Sequence, residues 1–435
     1  MDAATFAALI LFSGTLFFLV IGAPISISVG ISSFAAMLSI LPAQGAMVTS
    51  AQRLFVGLDS FALLAIPFFI LAGNIMNNGG IAIRLINFSK IFSGFLPGSL
   101  AQTTVVSNML FGSISGSGVA SAAAVGGIMA PIQKKEGYDP AFSTAVNIAS
   151  APTGMLIPPS NTLIVYATVA GSVSVTALFM GGYLPGILWG LGVMFVAGIM
   201  AKRRGYTMKH SMTLADCFKV SIDAIPSLSL IVIVIGGIIG GVFTATEASA
   251  IAVVYALVLS LAYRALDIKK IPEILLSTAK MSAIVIFMLA TSSIMSWVMA
   301  FTQIPALIAD SLISLTDNPI IILLIINVVL LFIGTFMDPT PAVLIFTPIF
   351  LPICMNLGMD PVQFGIILVF NLSLGTITPP VGPILFTGCK VSGISIDDVI
   401  KTLLPFFLVI FVVLMLVTFI PAISMTIPEM MGLIK

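Results

Sequence analysis

Charge is what this 435-residue sequence has least of. Asp, Glu, Lys and Arg make up 8% of it, against about 25% in an ordinary soluble domain. With 59% apolar residues, too little polar material is left to cover a water-soluble surface. Histidine occurs once, at His210 beside Lys209, so a zinc site has nothing to build on. The cysteines, Cys217, Cys354 and Cys389, are scattered without metal or redox spacing, which argues against a disulfide framework. No positive stretch precedes the first apolar run and no A-x-A site follows it, so it reads as a spanning helix, not a cleaved signal. A net charge of +1 makes no case for nucleic acid.

What the chain does have is long apolar runs, at residues 9–21, 225–242, 248–262 and 406–420. With their flanks, each is about the length a helix needs to cross a hydrocarbon core. The composition therefore predicts an all-α polytopic membrane protein.

Sliding the sequence along itself by about 221 positions brings its halves into register. Leu156-Ile-Pro-Pro159 meets Thr376-Ile-Thr-Pro-Pro380, and Gly137-Tyr-Asp-Pro140 meets Gly358-Met-Asp-Pro361. Pro131 meets Pro352, Gly154 meets Gly375, and Gly112 meets Gly334 with one residue of slippage. A collinear series at one offset predicts an internal repeat, residues 1–201 and 222–435, joined by a basic linker at 202–221. Each half reads as two spans, a connector, a third span and another connector. A hairpin follows (100–132; 319–356), then a helix broken in its middle (140–172; 361–393) and a closing span.

In the first half, about 12 residues precede the Gly112-Ser-Ile-Ser-Gly-Ser-Gly118 tip, and at 1.5 Å per residue they reach less than about 20 Å. They read as a re-entrant hairpin that adds no crossing. Five crossings per half then invert the second half. Charge tests this: the topology puts 15 of the 17 Lys and Arg on one side, leaving only Arg53 and Lys435 on the other. Cytoplasmic loops carry the Lys/Arg excess, so both termini are expected outside. The first hairpin then opens from the cytoplasm and the second from outside.

Inverted repeats with broken helices mark secondary transporters, whose site lies near the midplane. Backbone unwound within a membrane is tolerated only where protein, water or ligand meets it. Composition unwinds four segments: the first tip, Ala151-Pro-Thr-Gly-Met-Leu-Ile-Pro-Pro159, Gly334-Thr-Phe-Met-Asp-Pro-Thr-Pro341, and Gly375-Thr-Ile-Thr-Pro-Pro-Val-Gly382. Tip facing break supplies the oxygen ligands of a hard cation and helix N-termini that favour a carboxylate. The expectation is one sodium between each tip and its break, with an anionic substrate between the tips. The bland alternative is that Gly, Ser and Pro here only permit tight helix packing. Asp338 is the acidic residue this topology leaves inside the membrane, where a carboxylate suggests cation coordination. If the second hairpin's arms both span, Asp338 sits instead in an ordinary loop. Asp139 and Asp360 precede helix-starting prolines and read as caps, and Glu247 reads as an N-terminal dipole partner. Arg53 reads as a solvated arm residue that could also meet an anion.

An intramembrane hydrolase is the rival from another class. Ser113-Ile-Ser-Gly116 comes near a G-x-S-G motif but lacks its first glycine, and His210 lies in the linker. No G-x-G-D aspartate pair is present.

Taken together, the first tip, Lys134-Lys-Glu-Gly-Tyr-Asp-Pro140, Ala151-Pro-Thr-Gly-Met-Leu-Ile-Pro-Pro-Ser160, residues 334–341 and Thr378-Pro-Pro380 resemble the large membrane subunit of tripartite ATP-independent periplasmic (TRAP) transporters, DctM or SiaM type. The resemblance covers nearly the whole chain. It implies an elevator mechanism, sodium (Na+) coupling, a small four-helix membrane subunit (Q type), a periplasmic substrate-binding protein (P type) and the bacterial inner membrane. It implies one sodium site at Ser113, Ser115, Ala151 and Gly154, and another at Asp338, Thr340, Gly375 and Thr378. Substrate is then expected at Ser115, Ser117, Pro158 and Pro379. Members take C4-dicarboxylates, sialic acid and other small organic acids, and the sequence does not choose among them. Stand-alone sodium/dicarboxylate and citrate carriers share the inverted hairpin plan and remain the alternative.

Overall fold

The computed structural model describes residues 3–171, 173–206, 214–316 and 318–434. His210, Lys209 and Lys435 lie outside these. Among the described residues every element is helical. Helices α1 (Ala3–Val20), α2 (Ile25–Leu38) and α3 (Ala43–Val56) lead through a 3-10 turn (Phe61–Leu64) into α4 (Ala65–Asn78) and α5 (Ile81–Ser93). The first hairpin is α6 (Ser99–Ser115) and α7 (Gly118–Lys135); the helix after it is broken into α8 (Pro140–Ser150) and α9 (Asn161–Ala170), and α10 (Val175–Arg203) closes the set. The chain goes on as α11 (Leu214–Ile239), α12 (Ala245–Ala262), α13 (Ile271–Phe301) and α14 (Ile304–Leu315). It continues with the hairpin α15 (Pro319–Phe336) and α16 (Pro339–Asn356), the broken α17 (Pro361–Gly375) and α18 (Pro383–Ser392), then α19 (Ile396–Phe419) and α20 (Ala422–Met430).

Among the described residues, eight helices are long and apolar enough to cross a membrane. Large apolar side chains such as Phe17, Phe195, Val232, Phe332 and Leu408 face outward, as hydrocarbon contact requires. The middle is different. From Phe142 to Ser150 and from Val362 to Gly375, α8 and α17 are buried at every position, so each needs apolar partners all round. Around them α7 packs on α18, α16 on α9, and α10 on α19 and α20. Farther out, α4 packs on α12, α2 on α13 and α1, and α11 on α12 and α5.

The structure corrects two readings of length. The first hairpin's arms are 17 and 18 residues, about 25 Å each at 1.5 Å per residue, because residues 112–115 stay helical. Glycine and serine weaken a helix without ending it when close packing holds it together. The tip therefore shrinks to Gly116 and Ser117. The second correction concerns the connector and third span read in the second half: together they form one 31-residue helix, α13. Between Glu273 and Gln303 no Gly or Pro interrupts it, whereas residues 57–60 separate α3 from α4.

Candidate functional site

Each hairpin turns on a residue that caps its second arm. Gly116, at φ +62, ends α6 with its N–H on Gly112 O at 2.8 Å; only glycine takes that conformation freely. Ser117 then caps α7, its Oγ accepting from Ala120 N at 3.3 Å. In the second hairpin Asp338 holds the same place, its Oδ1 accepting from Thr340 N at 3.1 Å.

Each tip is pressed against the break that follows it. Gly112 lies backbone to backbone with Gly154, and Gly334 with Gly375; a Cβ on Gly112, Gly154 or Gly375 would run into the facing chain, and one on Gly334 would press tightly on it. Gly382 N donates to Thr335 O at 3.1 Å, a further tie between the second tip and its break. Behind the tips, buried amides bolt hairpin to broken helix. Asn108 Nδ2 donates to Asn147 Oδ1 at 3.0 Å and Ser150 Oγ at 2.8 Å, while its Oδ1 accepts from Ser121 Oγ at 2.7 Å. In the second half Asn371 Nδ2 donates to Asn327 Oδ1 at 2.7 Å. In so apolar a setting such bonds fix relative position because the amides have no water to turn to.

Both tips open on one cavity of about 460 Å3. Ser115, Ser117, Asp338 and Thr340 line it, joined by Asn74, Asn161, Thr162 and Thr376. The first residues of α7, α16 and α9 are all on its wall, so three positive helix ends converge there. Asp338 is exposed to it. Among the described residues on the wall none is Lys, Arg or His. The site thus offers hydroxyl, amide and carboxylate oxygens with helix N-termini, and no fixed cation.

The other expected site residues lie off this wall. Ser113, Ala151 and Gly154 are buried behind the first tip, where Ser113 Oγ donates to Leu110 O at 2.9 Å. Gly375 is buried behind the second tip, and Thr378 Oγ1 donates to Leu374 O at 2.8 Å. Pro158 is buried in the first break and Pro379 is exposed on the second. Asp139 and Asp360 are caps, accepting from Ala141 N at 3.0 Å and Val362 N at 2.7 Å. Glu247 closes a capping box with Thr244. Sequence reasoning passed over Asn74, Asn161 and the buried amide pairs. The available signal was an amide inside an apolar run, which needs a partner wherever it lands.

Residues 12–423 match the family described as the tripartite ATP-independent periplasmic transporter, DctM component. The chain belongs to that family. YgiK of Salmonella typhimurium, an uncharacterized protein, is 54% identical over 422 residues, 97% of each chain. The isethionate TRAP transporter permease protein DctMQ of Oleidesulfovibrio alaskensis is 40% identical over 96% of this chain and 65% of its own length. The C4-dicarboxylate TRAP transporter large permease protein DctM of Pseudomonas aeruginosa is 40% identical over 88% of this chain and 90% of its own. The solved YdaH transporter of Alcanivorax borkumensis shares the fold, with a TM-score of 0.63 at 15% identity over 89% of both chains. The chain is thus a multi-pass membrane transporter subunit of this TRAP family and not an enzyme, which closes the hydrolase reading of the Ser113-Ile-Ser-Gly116 stretch.

Proposed function

We propose that this permease imports a small organic acid together with sodium across the bacterial inner membrane, the acid resting between the two hairpin tips. One observation carries the reading: Ser115–Ser117 of one tip and Asp338–Thr340 of the other line a single cavity of about 460 Å3. An anion there meets three helix N-termini but no Lys, Arg or His. A cation held by Asp338 and the surrounding oxygens supplies the missing positive charge. That couples sodium to the acid through electrostatics: each favours the other's binding. The relatives' named cargoes, isethionate and a C4-dicarboxylate, are both small acids.

The halves act as inverted repeats, residues 1–201 and 222–435, each with five spanning helices and one re-entrant hairpin, both termini periplasmic. The hairpins count as re-entrant because both tips meet at the one cavity, not because their arms are too short to span. In support, packing is reciprocal: the second hairpin arm of each half rests on the second piece of the other half's broken helix, α7 on α18 and α16 on α9. Ser117 and Asp338, both caps, stand 221 positions apart. The hairpins and broken helices move as one body against the outer helices, as an elevator. A small four-helix membrane subunit and a periplasmic binding protein complete the machine.

The test is uptake by proteoliposomes holding the permease with its small subunit, with and without binding protein, over a panel of organic acids. Uptake is expected to need both a sodium gradient and the binding protein. Asp338→Asn with unchanged rate and sodium affinity removes the residue from the site. Full uptake without any binding protein points instead to a stand-alone carrier.

A further inference from the structure

A second cavity, of about 190 Å3, lies where the end of α7, the start of α8 and the end of α18 meet. From Gly118 at the tip to Lys134 on its wall is about 24 Å along α7 at 1.5 Å per residue. Three side chains on that wall, Ser143, Thr144 and Ser392, have buried hydroxyls with no hydrogen-bond partner. Ser143 and Thr144 are 4% and 1% exposed. Some helical serines settle this need by donating to the carbonyl four residues back, as Ser89, Ser93, Ser107 and Ser150 do. Ser143 and Thr144 do not. Ser32, Ser33, Ser260, Ser282 and Ser292 also leave theirs unpaired, but none of those five is on this wall. Buried hydroxyls are costly to leave unpaired, and three on one cavity call for an occupant. Lys134 adds a cation that no carboxylate pairs among the described residues. Asp139, beside Pro140 of the wall, has its own charge met by Arg204 and by Ala141 N–H.

The matching junction of α16, α17 and α9 is built otherwise. There the ring of Tyr166 packs on Gly365 and beside Phe364, and its hydroxyl donates to Pro361 O at 2.6 Å. Phe364 and Gly365 stand about where Ser143 and Thr144 do in the other half. A ligand-free filling of this geometry therefore exists in the same molecule, and the first junction does not use it.

We propose that this cavity binds a phosphate-type oxyanion, with Lys134 supplying charge and Ser143, Thr144 and Ser392 donating hydrogen bonds. It opens at the end of α7 that carries Lys134 and Lys135, the face assigned to the cytoplasm. Two sources of that chemistry reach it there: free phosphate and the headgroup of an anionic phospholipid. The site stands apart from the tip cavity and from the transport reading.

The full-length protein, purified in neutral detergent, is titrated with inorganic phosphate against chloride at matched ionic strength while its melting midpoint is followed. Native mass spectrometry asks in parallel whether phosphatidylglycerol is retained. A saturable rise with phosphate supports a free oxyanion, and selective retention of phosphatidylglycerol supports a headgroup. Lys134→Gln and Ser143→Ala should each weaken the bound species by about tenfold, the worth of one charge-assisted hydrogen bond. Lys134 is at the surface, so its variant stays folded even where a buried one does not. If neither ligand binds, the cavity holds only water and the proposal fails. It fails equally if both variants bind as wild type does.

Discussion

The two broken helices use the same device and end in different surroundings. Residues 151–160 are buried throughout, while residues 379–381 are exposed. The cause lies in the helices beside them. Gly182 and Gly186 of α10 let the Leu156 carbonyl and the Ile157 side chain of the first break come up against the helix backbone. At the places 221 positions on, α19 carries Leu403 and Phe407 and no glycine. Local sequence makes the break, then, and the glycines of α10 let its helix close over the first one.

The largest effect should come from the glycine contacts that both halves share. Gly154→Val and Gly375→Val each drive a side chain into facing backbone, and overpacking of that kind costs about 3 kcal/mol. Melting in detergent should show both variants collapsing; a tolerated Gly375→Val breaks the equivalence of the halves. Next is the caps' difference in charge. Asp338→Ser keeps an N-cap as good as Ser117's, so the melting midpoint should hold. Uptake should fall about a hundredfold, the equivalent of roughly 3 kcal/mol for a cation that loses its partner. Wild-type uptake would leave Asp338 as a cap and nothing more.

Solvent access is tested directly in a cysteine-free background. Val381→Cys should react with a soluble maleimide about a hundredfold faster than Ile157→Cys, which needs a local opening of roughly 3 kcal/mol before it is reached. Adding Gly182→Leu, so that α10 resembles α19 there, should narrow that ratio. Equal rates at the start would mean the seal does not exist. The smallest expected difference concerns the amide bolts. Asn108→Ala strands several buried partners and should cost about 2 kcal/mol, against about 1 for Asn371→Ala. Chemical denaturation in mixed micelles separates the two, and the reverse order would mean the second hairpin is the more tightly held.

Much of this was legible in the residues. Apolar runs marked the helices, the prolines at 158–159 and 379–380 marked the breaks, and the glycine pairs marked where tip and break touch. Asp139 and Asp360 announced themselves as caps because a proline follows each. Less legible was how far a helix runs through Gly112 and Ser113, since tertiary packing overrides their weak propensity. The wall of the tip cavity was only half visible: Ser115, Ser117, Asp338 and Thr340 stand out in the Gly/Ser/Pro-rich tips and Thr376 in the second break, but Asn74 reaches it from α4, distant in sequence. Nothing local distinguishes an asparagine that lines a cavity from one that bolts two helices together.

The unbroken α13 has a mechanical meaning. Its 31 residues extend about 46 Å at 1.5 Å per residue, well beyond a hydrocarbon core of about 30 Å. It must lean or project, and it has no joint at which to bend, whereas its counterpart is hinged at residues 57–60. The helices outside the central ones thus include one continuous post and one interrupted one, and a load along the two would bend the interrupted one first.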